Sequence, residues 1–334
     1  MLGENWQAED AGPSMWQPFE RQTCLFHRMS RKYPPTFDAI SPNVLKIHLS
    51  GRIIGLRDFL HFPLPNNEGA VGSLGNNVLI SFLSIERLAD TSQSDPLRLE
   101  PHAVHVWGVE LGGSQRCLER CVGWLDGVER HRAARFVRDD IRQRYVLAHG
   151  SLRAVLSRYL DVNPDRVALD RGATGKPFLR RDLRDRSSIT FNLSHAHDRA
   201  LIAVSNAQEV GVDLEFVRAD IDVANLSKRF FTFSEHTTIM RETEDRRATK
   251  FFRYWVAKEA LLKAQGIGLG GLPDCEIFFE ADGADTDVRA RLGARFPNPL
   301  RVLLLPCEKG WEAAVAAQNL NRVMQCGPEG VCEC

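Results

Sequence analysis

Asp213 and Glu215 stand two apart in the run Val210-Gly211-Val212-Asp213-Leu214-Glu215-Phe216. A β-strand sends alternate side chains to opposite faces, so both carboxylates leave one face and can share a cation. Downstream, Trp255-Val256-Ala257-Lys258-Glu259-Ala260-Leu261-Leu262-Lys263 is made of strong helix formers, with Trp255, Glu259 and Lys263 every four residues on one face. A third carboxylate and an ammonium then sit one turn apart. Taken singly, paired acids usually mark a solvated strand edge, and Lys-Glu neighbours a solvated helix surface. Taken together, three carboxylates with no Cys or His at ligand spacing suit a hard ion such as Mg²⁺, which works alongside substrate phosphates.

Upstream lies Phe191-Asn192-Leu193-Ser194-His195, between the apolar runs 188–191 and 200–204. This reads as strand, polar turn, strand, with Asn192, Ser194 and His195 at the strand end where functional groups collect. Before it, Arg171-Gly172-Ala173-Thr174-Gly175-Lys176-Pro177 forms a Gly-rich loop whose lysine could hold a phosphate. It is not a nucleotide P-loop, because Pro177 replaces the required Ser/Thr and cannot sit inside the helix that would follow.

The order and spacing of these segments resemble the surfactin-type 4′-phosphopantetheinyl transferases. The resemblance is carried by Gly175-Lys176-Pro177, Asn192-Leu193-Ser194-His195, Gly211-Val212-Asp213-Leu214-Glu215, and Trp255-Val256-Ala257-Lys258-Glu259-Ala260 with Lys263 and Gly266 to Gly268. The basic stretch Arg135-Phe136-Val137-Arg138-Asp139-Asp140, with Arg144-Tyr145 and Gly150-Ser151-Leu152-Arg153, is similar to the family's first helix. It spans about residues 102 to 318. It implies transfer of the phosphopantetheine arm of coenzyme A to a serine of an apo acyl or peptidyl carrier protein, releasing 3′,5′-ADP, in polyketide, nonribosomal peptide or fatty acid biosynthesis. By that similarity Asp213, Glu215 and Glu259 bind Mg²⁺, Glu259 takes the serine proton and Lys263 meets the transferred phosphate. By the same similarity Arg132, Lys176, Ser194 and His195 are expected to contact coenzyme A. The residue chemistry agrees, since attack on a pyrophosphate needs a cation, a base and positive groups for the leaving phosphate. A metal-dependent pyrophosphate hydrolase and a non-catalytic carrier-protein or coenzyme A binding module are the competing readings.

The chain departs from the family pattern at Glu129, where a lysine is often found, and at Ala196 after the turn histidine. His195-Ala196-His197 has no third soft ligand nearby, so a zinc site is not expected. Lys228, Arg229, Arg246 and Arg247, with Phe230, Phe231 and Phe233, are expected either as a docking surface for an acidic carrier or as solvated charges and core aromatics.

The 334 residues are 43% hydrophobic with formal net charge +0, enough for one large or two modest domains and giving no indication of nucleic acid. No apolar run approaches the ~20 residues that span a bilayer, and the start lacks a signal-peptide pattern. A monomeric cytoplasmic enzyme is expected. Eight cysteines in a chain this long make no disulfide framework, and Cys117 and Cys121 are expected as buried helix residues.

Four stretches are expected: a poorly ordered extension or irregular appended unit over 1–100, in which the apolar run 78–83 could add an edge strand or cover an apolar patch, a first α+β half over 101–209, a second over 210–320 and a Cys-containing tail over 321–334, read as a disordered end with incidental thiols. Strands are read near 103–107, 167–169, 189–193, 201–204, 210–216, 275–279, 300–305 and 311–316. Helices are read over about 129–160, 221–231, 234–241 and 247–265. Helices followed by antiparallel strands, twice, make an α+β fold. The pseudo-twofold relation of the halves is implied by the resemblance.

Overall fold

The computed structural model describes residues 79–90, 96–279, 287–321, 323–326 and 332–333. The expectation of a poorly ordered segment over residues 1–78 lies outside these residues.

Strand β1 (Phe82–Ser84) leads directly into α1 (Ile85–Asp90), and β2 (Val104–Glu110) follows. Helix α2 (Gln115–Trp124) carries Cys117 and Cys121 into the core. The long basic helix of the sequence is broken in two, α3 (Gly127–Ala134) and α4 (Asp139–Leu160). Asp126 caps α3 in a reciprocal capping box with Glu129. Asp139 and Asp140 open α4, where acids are favoured by the helix dipole. The hairpin β3 (Leu169–Arg171) and β4 (Pro177–Leu179) and the single turn α5 (Arg181–Arg184) lead to β5 (Ile189–Ala196) and β6 (Arg199–Asn206).

The second half begins with β7 (Val210–Phe216). Helices α6 (Val223–Phe230), α7 (Phe233–Met240) and α8 (Glu244–Gln265) follow. Gly266 ends α8 at φ 67°, a left-handed cap that suits glycine, and Ile267 N–H donates back to Leu262 O. Strands β8 (Cys275–Phe279), β9 (Asp287–Leu292), β10 (Arg301–Leu305) and β11 (Trp311–Ala317) complete a sheet ordered β7-β11-β10-β9-β8, antiparallel throughout. The chain then returns to the first sheet with β12 (Val323–Cys326) and β13 (Cys332–Glu333). That sheet runs β13-β12-β2-β6-β5, with β1 beside the other end of β2.

Alternation along the strands sorts the core. Trp107, Val109, Ile202 and Val204 face α4, and Ala314 and Ala316 face α8. Val104, Val106, Leu201 and Ala203 meet Val212, Leu214, Ala313 and Val315 between the two sheets. Strands covered on both faces read as unbroken apolar runs, as 200–204 and 313–317 do. The fold is therefore α+β in four layers: helix, sheet, sheet, helix.

Two expectations are corrected. Residues 79–90 are not an unpacked extension: Ile80, Leu83, Ile85 and Leu88 are buried, and β1 pairs in parallel with Gly108–Glu110. Over its described residues the tail is not a disordered end either, because β12 pairs in parallel with Val104–Val106 and Cys326 is in the first core. Both segments cover an edge of β2 that would otherwise expose unpaired backbone groups. Phe231 is likewise in the core, against Phe251, Tyr254 and Trp255, whereas Phe233 at the start of α7 is 86% exposed.

Candidate active site at the seam between the two sheets

The two sheets meet where β5 runs beside β7, and side chains stitch the seam. Val212 N–H donates to Asn192 Oδ1 at 2.8 Å, and Leu214 N–H to Ser194 Oγ at 3.3 Å. Asn192 and Ser194 leave the face of β5 turned to β7, so the spacing that marked them in the sequence is the strand period.

On β7 the alternation sends Val210, Val212 and Leu214 between the sheets and Gly211, Asp213 and Glu215 toward α8. Gly211 lets the helix approach: a Cβ there would lie 2.1 Å from Ala260 O and 2.4 Å from Ala264 N. With backbone against backbone, the last turns of α8 bring Lys263 onto the strand. Lys263 Nζ donates to Asp213 Oδ1 at 2.6 Å and to Ser194 Oγ at 3.0 Å, and Ser194 Oγ donates to the same Asp213 oxygen at 2.8 Å. Residues 19 and 50 positions from Asp213 thus meet at one oxygen. Glu259, one turn before Lys263, is buried.

The three carboxylates act on one another. Burial, then the charge of Asp213, pushes the half-buried Glu215 carboxyl up to about 8, with Glu259 adding to the effect and Arg218 and Lys263 opposing it. Asp213 Oδ2 is buried with no hydrogen-bond partner, a state that is unfavourable unless something positive meets it. Oxygen donors, crowded negative charge and an orphan carboxylate oxygen fit a hard divalent cation. Among the described residues no three His, Cys, Asp or Glu side chains are gathered closely enough to hold a metal ion. Asp213 has instead turned one oxygen to the Lys263 ammonium, which supplies part of the missing positive charge.

His195 leaves the opposite face of β5, toward α4. Burial and the charges of His149, Lys263, Arg132 and Arg144 push its imidazole down to about 3. Arg132 is lowered by burial, and Arg171 and Arg135 lower it further. Positive groups therefore converge from α3, α4 and β3 around a neutral His195, and an anion among them would relieve their repulsion. Beneath them lies a network that sequence reading missed. His149 Nδ1 is 3.0 Å from Glu129 Oε1, Arg153 donates to Glu129, Asp126 and Val167 O, and the Tyr145 and His149 rings are 4.2 Å apart with Arg132 over Tyr145. The signal was present: Tyr145, His149 and Arg153 recur every four residues on one face of a helix.

Lys176 is not turned to this basic group. Its ammonium is held by Glu209, Val210 O and Ala264 O. His197, in the β5–β6 turn at φ 49°, packs its ring against Phe216 and Trp311. A cavity of about 300 Å³ lined by Thr190, Gln208, Glu209, Gln265, Asn298 and Gln318 lies by the start of β7, away from the carboxylates.

Comparison with known proteins matches residues 113–207 to the N-terminal unit of 4′-phosphopantetheinyl transferases and residues 209–316 to the 4′-phosphopantetheinyl transferase superfamily. The chain is similar to the 4′-phosphopantetheinyl transferase HetI of a Nostoc strain, 38% identical over 181 residues, 54% of this chain and 76% of that protein. It is also similar to Sfp of Bacillus subtilis, 28% identical over 157 residues, 47% of this chain and 66% of that protein. A third relative, the L-aminoadipate-semialdehyde dehydrogenase-phosphopantetheinyl transferase of Xenopus laevis, is 34% identical over 128 residues, 36% of this chain and 42% of that protein. The matched segments contain the whole seam, Ser194 and His195 in one and Asp213, Glu215, Glu259 and Lys263 in the other, and with the extent of the likeness to HetI they place the chain in the 4′-phosphopantetheinyl transferase superfamily.

Proposed function

We propose that this chain moves the 4′-phosphopantetheine arm of coenzyme A onto a serine of an apo acyl or peptidyl carrier protein in a Mg²⁺-dependent reaction that releases 3′,5′-ADP. The observation that carries this reading is the knot of Lys263, Asp213 and Ser194 one helical turn from Glu259. Mg²⁺ held by Asp213, Glu215 and Glu259 would neutralise the pyrophosphate oxygens as charge builds on them. Glu259 accepts the serine proton, directly or through a water. The serine oxygen bonds to the phosphorus of the pantetheine phosphate, the bond to the ADP oxygen breaks, and 3′,5′-ADP leaves with the electron pair. Lys263 supplies N–H donors to the oxygens of the phosphoryl group in transfer. Across β5, His195 and Arg132 offer donors to the phosphates of coenzyme A, with Ser194 between the two groups. The halves over 101–209 and 210–320 supply opposite walls of the site. No helix among the described residues is long and apolar enough to cross a membrane, and we read the enzyme as a cytoplasmic monomer acting on soluble carriers.

The test is to incubate the protein with coenzyme A, Mg²⁺ and an apo carrier protein and weigh the carrier. A gain of one phosphopantetheine arm, dependent on Mg²⁺, is expected. Cleavage of the pyrophosphate without transfer would select a hydrolase, and binding alone a non-catalytic module.

A further inference from the structure

We propose that Lys176 is a positioning residue that clamps the C-terminal end of α8 to the start of β7, fixing where Glu259 and Lys263 stand against Asp213 and Glu215. This inference rests on the catalytic reading of α8 given above. Lys176 precedes β4 in the first half, yet its three acceptors all belong to other elements: Glu209 Oε2 at 2.7 Å before β7, Val210 O at 3.2 Å at its first residue and Ala264 O at 3.0 Å in the last turn of α8. An ammonium has three N–H donors and no acceptor, so the protein itself provides an acceptor for each. The side chain is only 12% exposed.

The attachment point is where α8 has most to gain. The last carbonyls of a helix lack intrahelical partners and carry the negative end of its dipole, so a cation there is favourable. Ala264 follows Lys263 directly, and its backbone lies against Gly211. The contact that allows the close approach and the cation that holds it closed thus act on the same turn, one residue from the ammonium on Asp213. Releasing Lys176 would free the end of α8 to lift, and Lys263 would leave Asp213 first. A lysine serving a phosphate of coenzyme A would have to abandon Glu209, leaving a carboxylate beside the anion.

The experiment measures kcat and KM for coenzyme A in Lys176→Met, Glu209→Gln and the double variant, with Asp213→Ala alongside and Tm recorded for each. The clamp predicts that Lys176→Met lowers kcat about tenfold or more, as a displacement near 1 Å does, with KM for coenzyme A within about twofold. Glu209→Gln, which keeps both backbone carbonyl contacts and is expected to fold, should lower kcat less, in the same direction. The double variant should be no worse than Lys176→Met, because Glu209 acts through the lysine. The proposal is overturned if Lys176→Met raises KM with kcat intact, or if Glu209→Gln leaves kcat unchanged and tightens coenzyme A. Should Lys176→Met not fold, Glu209→Gln alone decides by the same split. An active Asp213→Ala would instead refute the catalytic reading on which the clamp depends, whereas an inactive Asp213→Ala with only KM effects at Lys176 refutes the clamp alone.

Discussion

The Glu129 carboxylate is 1% exposed and still ionised. Burial pushes it up, but the His149 hydrogen bond and charge, then Arg153 and the Asp126 backbone, outweigh burial and hold it down at about 2, against an ordinary 4.5. A carboxyl depressed in the folded state contributes stability that is full above 4.5 and is lost as pH falls toward about 2. His149, lowered by burial against the raising effect of Glu129, adds a second loss that begins below its ordinary 6.5. Glu129→Gln leaves Arg153 buried with one partner fewer and should cost about 3 kcal/mol at pH 7. Urea unfolding over a pH series should show that difference shrinking from pH 5 toward pH 2, and a constant difference would contradict the assignment. The sequence singled out Glu129 only as a departure from a basic pattern. What makes it buried and paired is the meeting of α3 with α4, which no local pattern announces. At the seam the reverse holds. That Asp213 and Glu215 share one face of β7, and Glu259 and Lys263 one face of α8, was legible because the strand and helix periods fix it.

Among the elements, α8 is the one whose placement decides the site. Its sequence carries both a face turned to the seam and a structural one: Lys258, adjacent to Glu259, is fully buried and pairs with Glu235 at 2.7 Å and with Leu272 O. The 3.6-residue period separates the two by about 100°, which is why neighbours in sequence serve different faces of the helix. Gly211 was read only as part of a motif, and its reason is visible once the helix lies on the strand. Gly211→Ala should destabilise the protein by roughly 3 kcal/mol, since overpacking against backbone cannot be relieved by a side-chain rotation. Transfer rate should fall as well, because the helix moves away from Asp213. Wild-type Tm together with wild-type transfer would show that the helix does not depend on this contact. Strand β9 escaped notice although Val288, Ala290 and Leu292 alternate with arginines. Short strands with long charged side chains give little contrast on a hydropathy reading.

At the level of the molecule, the edge of β2 is closed from both ends of the described chain, by β1 and β12, and Gln325 Nε2 donates to Ser81 O across them. The apolar run over 78–83 offered an edge strand where β1 lies, but β12, four residues long, was not legible, because it acquires meaning only from the edge it covers. Truncation of residues 1–98 exposes the Gly108–Glu110 part of that edge and removes Ile80, Leu83, Ile85 and Leu88 from the core, each worth about 1.5–3 kcal/mol when fully buried. The truncated protein should aggregate or melt well below the full chain, as a thermal scan would register. Equal Tm would mean that β1 and α1 contribute nothing to the first core. The α+β class was readable from the order of elements, while the return of the chain to the first sheet was not. The central claim is that the seam between the sheets transfers phosphopantetheine with Asp213 at its centre. The most direct measurement is the mass of an apo carrier protein after incubation with coenzyme A, Mg²⁺ and either the wild-type protein or Asp213→Asn, both shown to be folded. The account predicts a full phosphopantetheine gain with wild type and a rate lower by about a hundredfold or more with the variant. Carrier modified at comparable rates by both proteins would contradict it.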